Sequence, residues 1–142
     1  MKFVGLSALL SVSLGVQAGY FSDDGGIKHA ADHVDDCFNL NDNGEVARCV
    51  DYFRQQAGSA LESEVKRVRD KLKKDTEQFD DAQQKWLAFK DSECALRALR
   101  SRAFADPSTA RELFTWACSA RLDEQRVDEL RSLPLLCDAC LH

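Results

Sequence analysis

Residues 82–94 read AQQKWLAFKDSEC, and the periodicity in and around them decides the fold. Phe79, Ala82, Trp86, Phe89, Leu96 and Leu99 recur at steps of three, four and seven, which is one face of an α-helix. Gln83, Lys85, Lys90, Asp91 and Glu93 fall largely between them. Downstream, Asp106-Pro107 sets an N-cap residue before a proline at the first helical position. The following segment places Leu113, Ala117, Ala120, Val127 and Leu130 on a matching stripe, and Pro134 stops it. Cys94 and Cys118 stand eleven to thirteen residues on either side of the break at 103–106. With a rise of about 1.5 Å per residue, both lie roughly 16–20 Å from the turn. In an antiparallel helix pair they face each other at one height, so a Cys94–Cys118 disulfide is predicted.

Upstream, residues 45–74 read as a long helix with Val46, Val50, Phe53, Ala57, Leu61, Val65, Val68 and Leu72 on its apolar stripe. Gly58-Ser59 is a possible kink. Asn41-Asp42-Asn43-Gly44 is a turn signal before it, and Asp75-Thr76 offers the N-cap of the next helix. Residues 28–40 are expected to form a short helix. No segment carries the β-branched alternation of a strand. The fold class expected is all-α: a small disulfide-stapled antiparallel bundle of three main helices plus a short N-terminal helix.

The first eighteen residues have the make-up of a secretory signal. Lys2 supplies the positive region, an apolar run follows, and Val16-Gln17-Ala18 fits the small-x-small cleavage rule. The run is too short to span a bilayer comfortably, and no cysteine follows the cleavage site, which argues against a lipoprotein. The organisation expected is a signal peptide over 1–18, a flexible lead-in over 19–27, a helical domain over 28–136 and a C-terminal tail over 137–142. A periplasmic or secreted protein is implied, with no stable membrane insertion after cleavage.

All six cysteines follow residue 18. An even count in an exported chain reads as a disulfide framework. Cys37 and Cys49 lie six residues on either side of Asn43, in the turn, and a Cys37–Cys49 bridge is preferred. Cys49 and Cys94 are also nearly symmetric about the 74–75 break, so a Cys49–Cys94 bridge is the rival. Cys137 and Cys140 remain as a C-x-x-C. A peripheral Cys137–Cys140 disulfide is the plainest reading, with redox chemistry or a metal site with His142 as alternatives.

Charge is unevenly distributed. The chain carries a net −5. Residues 19–51 hold eight acids against Lys28 and Arg48, whereas acids and bases balance in the remainder. An acidic end favours a cationic partner and disfavours nucleic acid. His29 and His33, spaced i and i+4, would share a helix face, but no third ligand accompanies them. Lys66, Arg67, Arg69, Lys71, Lys73 and Lys74 form a basic run whose helical period spreads it around the cylinder. There is no G-x-S-x-G, P-loop or dinucleotide turn, and no nucleophile that pairs with a base. No catalytic residue, metal or cofactor is assigned.

The pattern A-Q-x-x-W-x-x-F-K-D-x-x-C from Ala82 to Cys94, followed by Cys118, Arg126 and Leu130, resembles the LprI-like lysozyme-inhibitor family of small exported bacterial helical proteins. The resemblance covers roughly residues 37–133. It implies an all-α disulfide-bonded domain, a protein partner such as a basic lysozyme, and inhibition by occlusion without catalysis. Gln83, Trp86, Lys90, Asp91 and Arg126 match the family motif and are the candidate binding residues. Two departures stand out. Lys90 occupies a position where the pattern has arginine, which removes a planar donor fork, and the C-terminal C-x-x-C is additional. An envelope adaptor with another partner, or a metal or redox protein acting through the C-x-x-C, are the alternatives.

Overall fold

A computed structural model describes residues 19–24 and 27–134, except the side chains of 21–24 and 27–29. Three long helices dominate: α1 Asn43–Leu72, α2 Glu77–Arg97 and α3 Pro107–Ser132. Short 3-10 turns lie before α1, at Val34–Asn39, and between α2 and α3, at Ala98–Ala103. The helices run up, down and up. The first half of α1 (Val46, Cys49, Val50, Phe53, Ala57) packs on Ala117 and Ala120 of α3. Its second half (Leu61, Val68) meets Val127, Leu130 and Phe79. α3 therefore lies in the middle, against both neighbours, while α1 and α2 touch little beyond their connecting turn.

The stripes expected on α1 and α3 are the ones buried, with Val65, Leu72 and Leu113 half-buried at their margins. α1 runs through Gly58-Ser59 without a break. Asp42 caps it by accepting from the Glu45 N–H at 2.9 Å, and it ends at Lys73, whose φ of 57° turns the chain without a glycine. Asp106 caps α3 as expected, accepting from the backbone N–H of Ser108 and Thr109 at 3.2 and 3.3 Å. Half of the basic run is occupied: Lys66 pairs with Asp70, Arg67 with Glu64 and the Leu130 carbonyl, and Arg69 with Asp80.

Two expectations are corrected. Residues 28–40 do not form one helix. Tyr20–Asp24 (β1) and Ile27–Ala31 (β2) form an antiparallel hairpin with Tyr20 opposite Ala31, and only Val34–Asn39 coils. Burial of Ala31 and Val34 beside Cys37 anchors this segment to α1, and the Tyr20 hydroxyl donates to Glu45 at 2.9 Å. His29 thus lies in a strand and His33 at the entrance to the 3-10 turn, so they share no helix face.

The second correction concerns α2. Its inward residues are Phe79, Gln83, Cys94 and the following Ala98, with Trp86 and Lys90 half-buried. Of the expected stripe, Ala82, Phe89, Leu96 and Leu99 are exposed, Phe89 by 52% and Leu96 by 62%. The helix is rotated so that Cys94 reaches Cys118 and Phe79 reaches the lower core, and that rotation turns the apolar stripe outward.

The structure holds Cys37–Cys49 and Cys94–Cys118 bridges, with Cα separations of 5.6 and 5.5 Å. The Cys49–Cys94 rival is thereby excluded. Cys137 and Cys140, like the signal-like first eighteen residues, lie outside the described residues.

Replacing Cys94 and Cys118 together by alanine is expected to lower unfolding stability by about 3.5 kcal/mol, the loop-entropy value for a 24-residue closure. Urea titration of the oxidised parent and the variant checks this. A second expectation concerns acid. Hydrogen bonds from Ser108 and then Thr109 hold the Asp106 carboxyl down at about 2. Its capping contribution is complete above the ordinary value of 3.8 and is lost as pH falls through about 2. Asp106→Asn, which caps without titrating, should flatten that limb of the stability–pH curve in urea melts.

Candidate functional site

Four of the five motif residues meet along the seam between α2 and α3. The ammonium of Lys90 lies 2.8 Å from Asp123 Oδ1, with both side chains largely shielded from solvent. The other oxygen of Asp123 is 3.4 Å from the Ser119 hydroxyl. One turn down, Arg126 donates through Nε to Gln83 Oε1 at 3.2 Å and pairs with Glu129 at 2.9 Å. Trp86 sits between the two cations, with Lys90 Nζ 5.3 Å and the Arg126 guanidinium 5.5 Å from its ring. Both lie within cation–π range.

The local sequence explains the arrangement. Gln83, Trp86, Lys90 and Cys94 are spaced three, four and four apart, so one face of α2 presents all of them to α3. Asp123 and Arg126 are three apart on α3 and project toward that face. The buried carboxylate carries a full charge partner and a hydroxyl donor, which is the condition for tolerating an ion pair away from water.

Asp91 is the exception among the motif residues. It points away from the seam, is exposed, and makes no hydrogen bond or ion pair among the described residues. It lines a groove of about 450 Å³ that runs over α3 between α1 and α2. Arg54, Arg111, Trp116 and Ser119 also line it. Arg54 stacks on the Trp116 ring at 5.0 Å and is held by Asp51. Both tryptophans are half-buried, which fits packing and leaves part of each ring accessible.

Asp123 was missed in the sequence. The signal was there: the apolar stripe of α3 jumps seven residues from Ala120 to Val127, and Asp123 fills the vacant inward position. Arg54 and Arg111 carried no comparable sign, because their place at the groove depends on how α1 and α2 flank α3. Among the described residues no group of three or more His, Cys, Asp or Glu side chains is placed to hold a metal ion. No helix among them is long and apolar enough to cross a membrane.

A family model described as lysozyme inhibitor LprI matches residues 37–130. That span begins at the first bridged cysteine and ends at the buried Leu130, so it takes in both disulfides and the whole seam. No curated protein and no solved structure gave a match.

The seam makes a stability prediction. Lys90→Ala or Asp123→Ala alone strands a buried charge and should cost about 3–5 kcal/mol. The joint replacement Lys90→Met with Asp123→Leu should fall within about 1 kcal/mol of the parent. Urea melts of the parent and the three variants check it.

Proposed function

The chain belongs to the lysozyme inhibitor LprI family, and from that membership we propose that it is an exported, non-catalytic protein that binds a basic lysozyme and occludes its cleft. The observation that carries this reading is the family match across residues 37–130, two-thirds of the chain. The two disulfides fit an oxidising compartment outside the cytoplasm, in keeping with the signal-like first eighteen residues.

Electrostatics supply the means of approach. Asp32 and Asp35 beside the 3-10 turn and Glu124 and Asp128 on α3 are exposed. The pKa of Glu124 is raised by desolvation and then by the nearby Asp128 and Asp35 carboxylates, against a lowering pull from His33. Acidic side chains from two separate elements thus share one face. Such a face steers a cationic protein toward it and speeds encounter more than it strengthens the final complex. A lysozyme cleft holds two carboxylates, so the group that enters it must be neutral or cationic.

Within this reading the motif residues divide their work. Gln83, Trp86, Lys90 and Arg126 keep α2 and α3 in register, and Asp91 on the groove rim is the one left free for a partner.

Lytic assays with c-, g- and i-type lysozymes are the test. Inhibition of at least one type at micromolar protein, with a complex on gel filtration, is expected; neither with any type would overturn the proposal. Asp32→Lys combined with Glu124→Lys should slow association on the order of tenfold at low salt, with the difference fading as salt rises. An unchanged association rate in stopped-flow measurements would remove the steering role.

A further inference from the structure

α2 is built the wrong way round for a helix that ends at solvent. A surface helix normally buries its apolar stripe and exposes its polar face. Here Gln83 and Lys90 point inward, while Ala82, Phe89 and Leu96 form an outward line that Leu99 extends. We propose that this line is the contact surface of a twofold dimer, in which two copies of α2 lie antiparallel with Phe89 on the axis.

The spacing of the line favours a second copy of the same helix. Ala82 and Leu96 each stand seven residues from Phe89. A seven-residue repeat follows the axis of a helix with only a slow drift, which is what helix-against-helix packing requires. In an antiparallel pair centred on Phe89, the small Ala82 of one copy faces the larger Leu96 of the other, twice. Lys85, Ser92 and Glu93 flank the line, and in the antiparallel pair Lys85 of one copy lies opposite Glu93 of the other, a favourable pairing of charge.

Charge selects the same occupant. The start of α2 carries Glu77, Asp80 and Asp81, and its last residue and the segment beyond it supply Arg97, Arg100 and Arg102. Asp80, Asp81 and Arg97 pair within the chain with Arg69, Lys85 and Glu93, which leaves Glu77 at one end and Arg100 and Arg102 at the other to meet across an interface. An antiparallel copy lays the acidic end on the basic end at both extremities and opposes the two helix dipoles favourably. A parallel copy sets like charges against each other. The acidic face formed by the 3-10 turn and α3 belongs to other elements and is not used by the dimer.

Sedimentation equilibrium of the exported, oxidised chain tests the proposal. The mass of a dimer is expected at micromolar concentration, and the mass of a monomer for Phe89→Asp with Leu96→Asp. Both side chains are exposed, so circular dichroism of that variant should match the parent. Cysteine cross-linking then fixes the arrangement. Two copies of the Phe89→Cys variant should link to each other, and the Ala82→Cys variant should link to the Leu96→Cys variant in a mixture but not to itself. A parent that stays monomeric throughout, or self-linking of the Ala82→Cys variant, would overturn the arrangement. Loss of lysozyme inhibition in the Phe89→Asp, Leu96→Asp variant of a monomeric parent would assign the line to the enzyme instead. Dimerisation only of a chain ending at Pro134 would assign it to the C-terminal segment.

Discussion

The covalent tie between Cys94 and Cys118 is the constraint to which the rest of α2 conforms. A helix is a rigid cylinder, so fixing one residue against a neighbour fixes its rotation for several turns in either direction. With Cys94 turned to α3, Lys90, Gln83 and Phe79 follow onto the same face, because they precede it by four, eleven and fifteen residues. The apolar residues that would otherwise compete for burial are turned away. Hydrophobic area alone would rotate this helix toward Phe89 and Leu96, and the bridge prevents it.

That constraint explains why the seam is polar. Once Lys90 faces α3, its ammonium must find an anion or drag α2 outward. Asp123 supplies it, and Ser119 serves the remaining oxygen. The pair adds little net stability over a well-packed apolar alternative, but breaking half of it is costly. Its effect is therefore on register: α2 cannot slide along α3 by a turn without stranding both Lys90 and Asp123, and the Gln83–Arg126 bond repeats the condition one turn lower.

Much of this fold was legible in the sequence, for identifiable reasons. α1 and α3 bury clean stripes, carry side-chain caps at Asp42 and Asp106, and lie beside or under most of the structure, so periodicity and burial coincide. The bridges followed from placing cysteines at equal distances from turns. α2 defeated the same method because periodicity finds an apolar face but not the direction it points. The hairpin was hidden because its strands lack β-branched alternation; the useful mark was Gly25-Gly26 between them, a dipeptide favoured in tight hairpins. The four motif residues at the seam were identifiable only as a pattern, since the bonds that join them to a neighbour, Lys90 to Asp123 and Arg126 to Gln83, cross between α2 and α3.

The choice of lysine rather than arginine at position 90 is best understood through the oxygens of Asp123. A guanidinium engages both carboxylate oxygens with a planar fork, whereas an ammonium is a point charge that engages one closely. In this chain Lys90 takes Oδ1, and Oδ2 is left for Ser119, four residues earlier on the same helix. Part of the carboxylate's satisfaction thus comes from its own helix and part from the neighbouring one. The compact ammonium also comes to rest 5.3 Å from the Trp86 ring, so the indole shares in stabilising the charge. The seam is balanced by a compact cation because a hydroxyl and an aromatic face share with it the satisfaction that a guanidinium fork would supply alone.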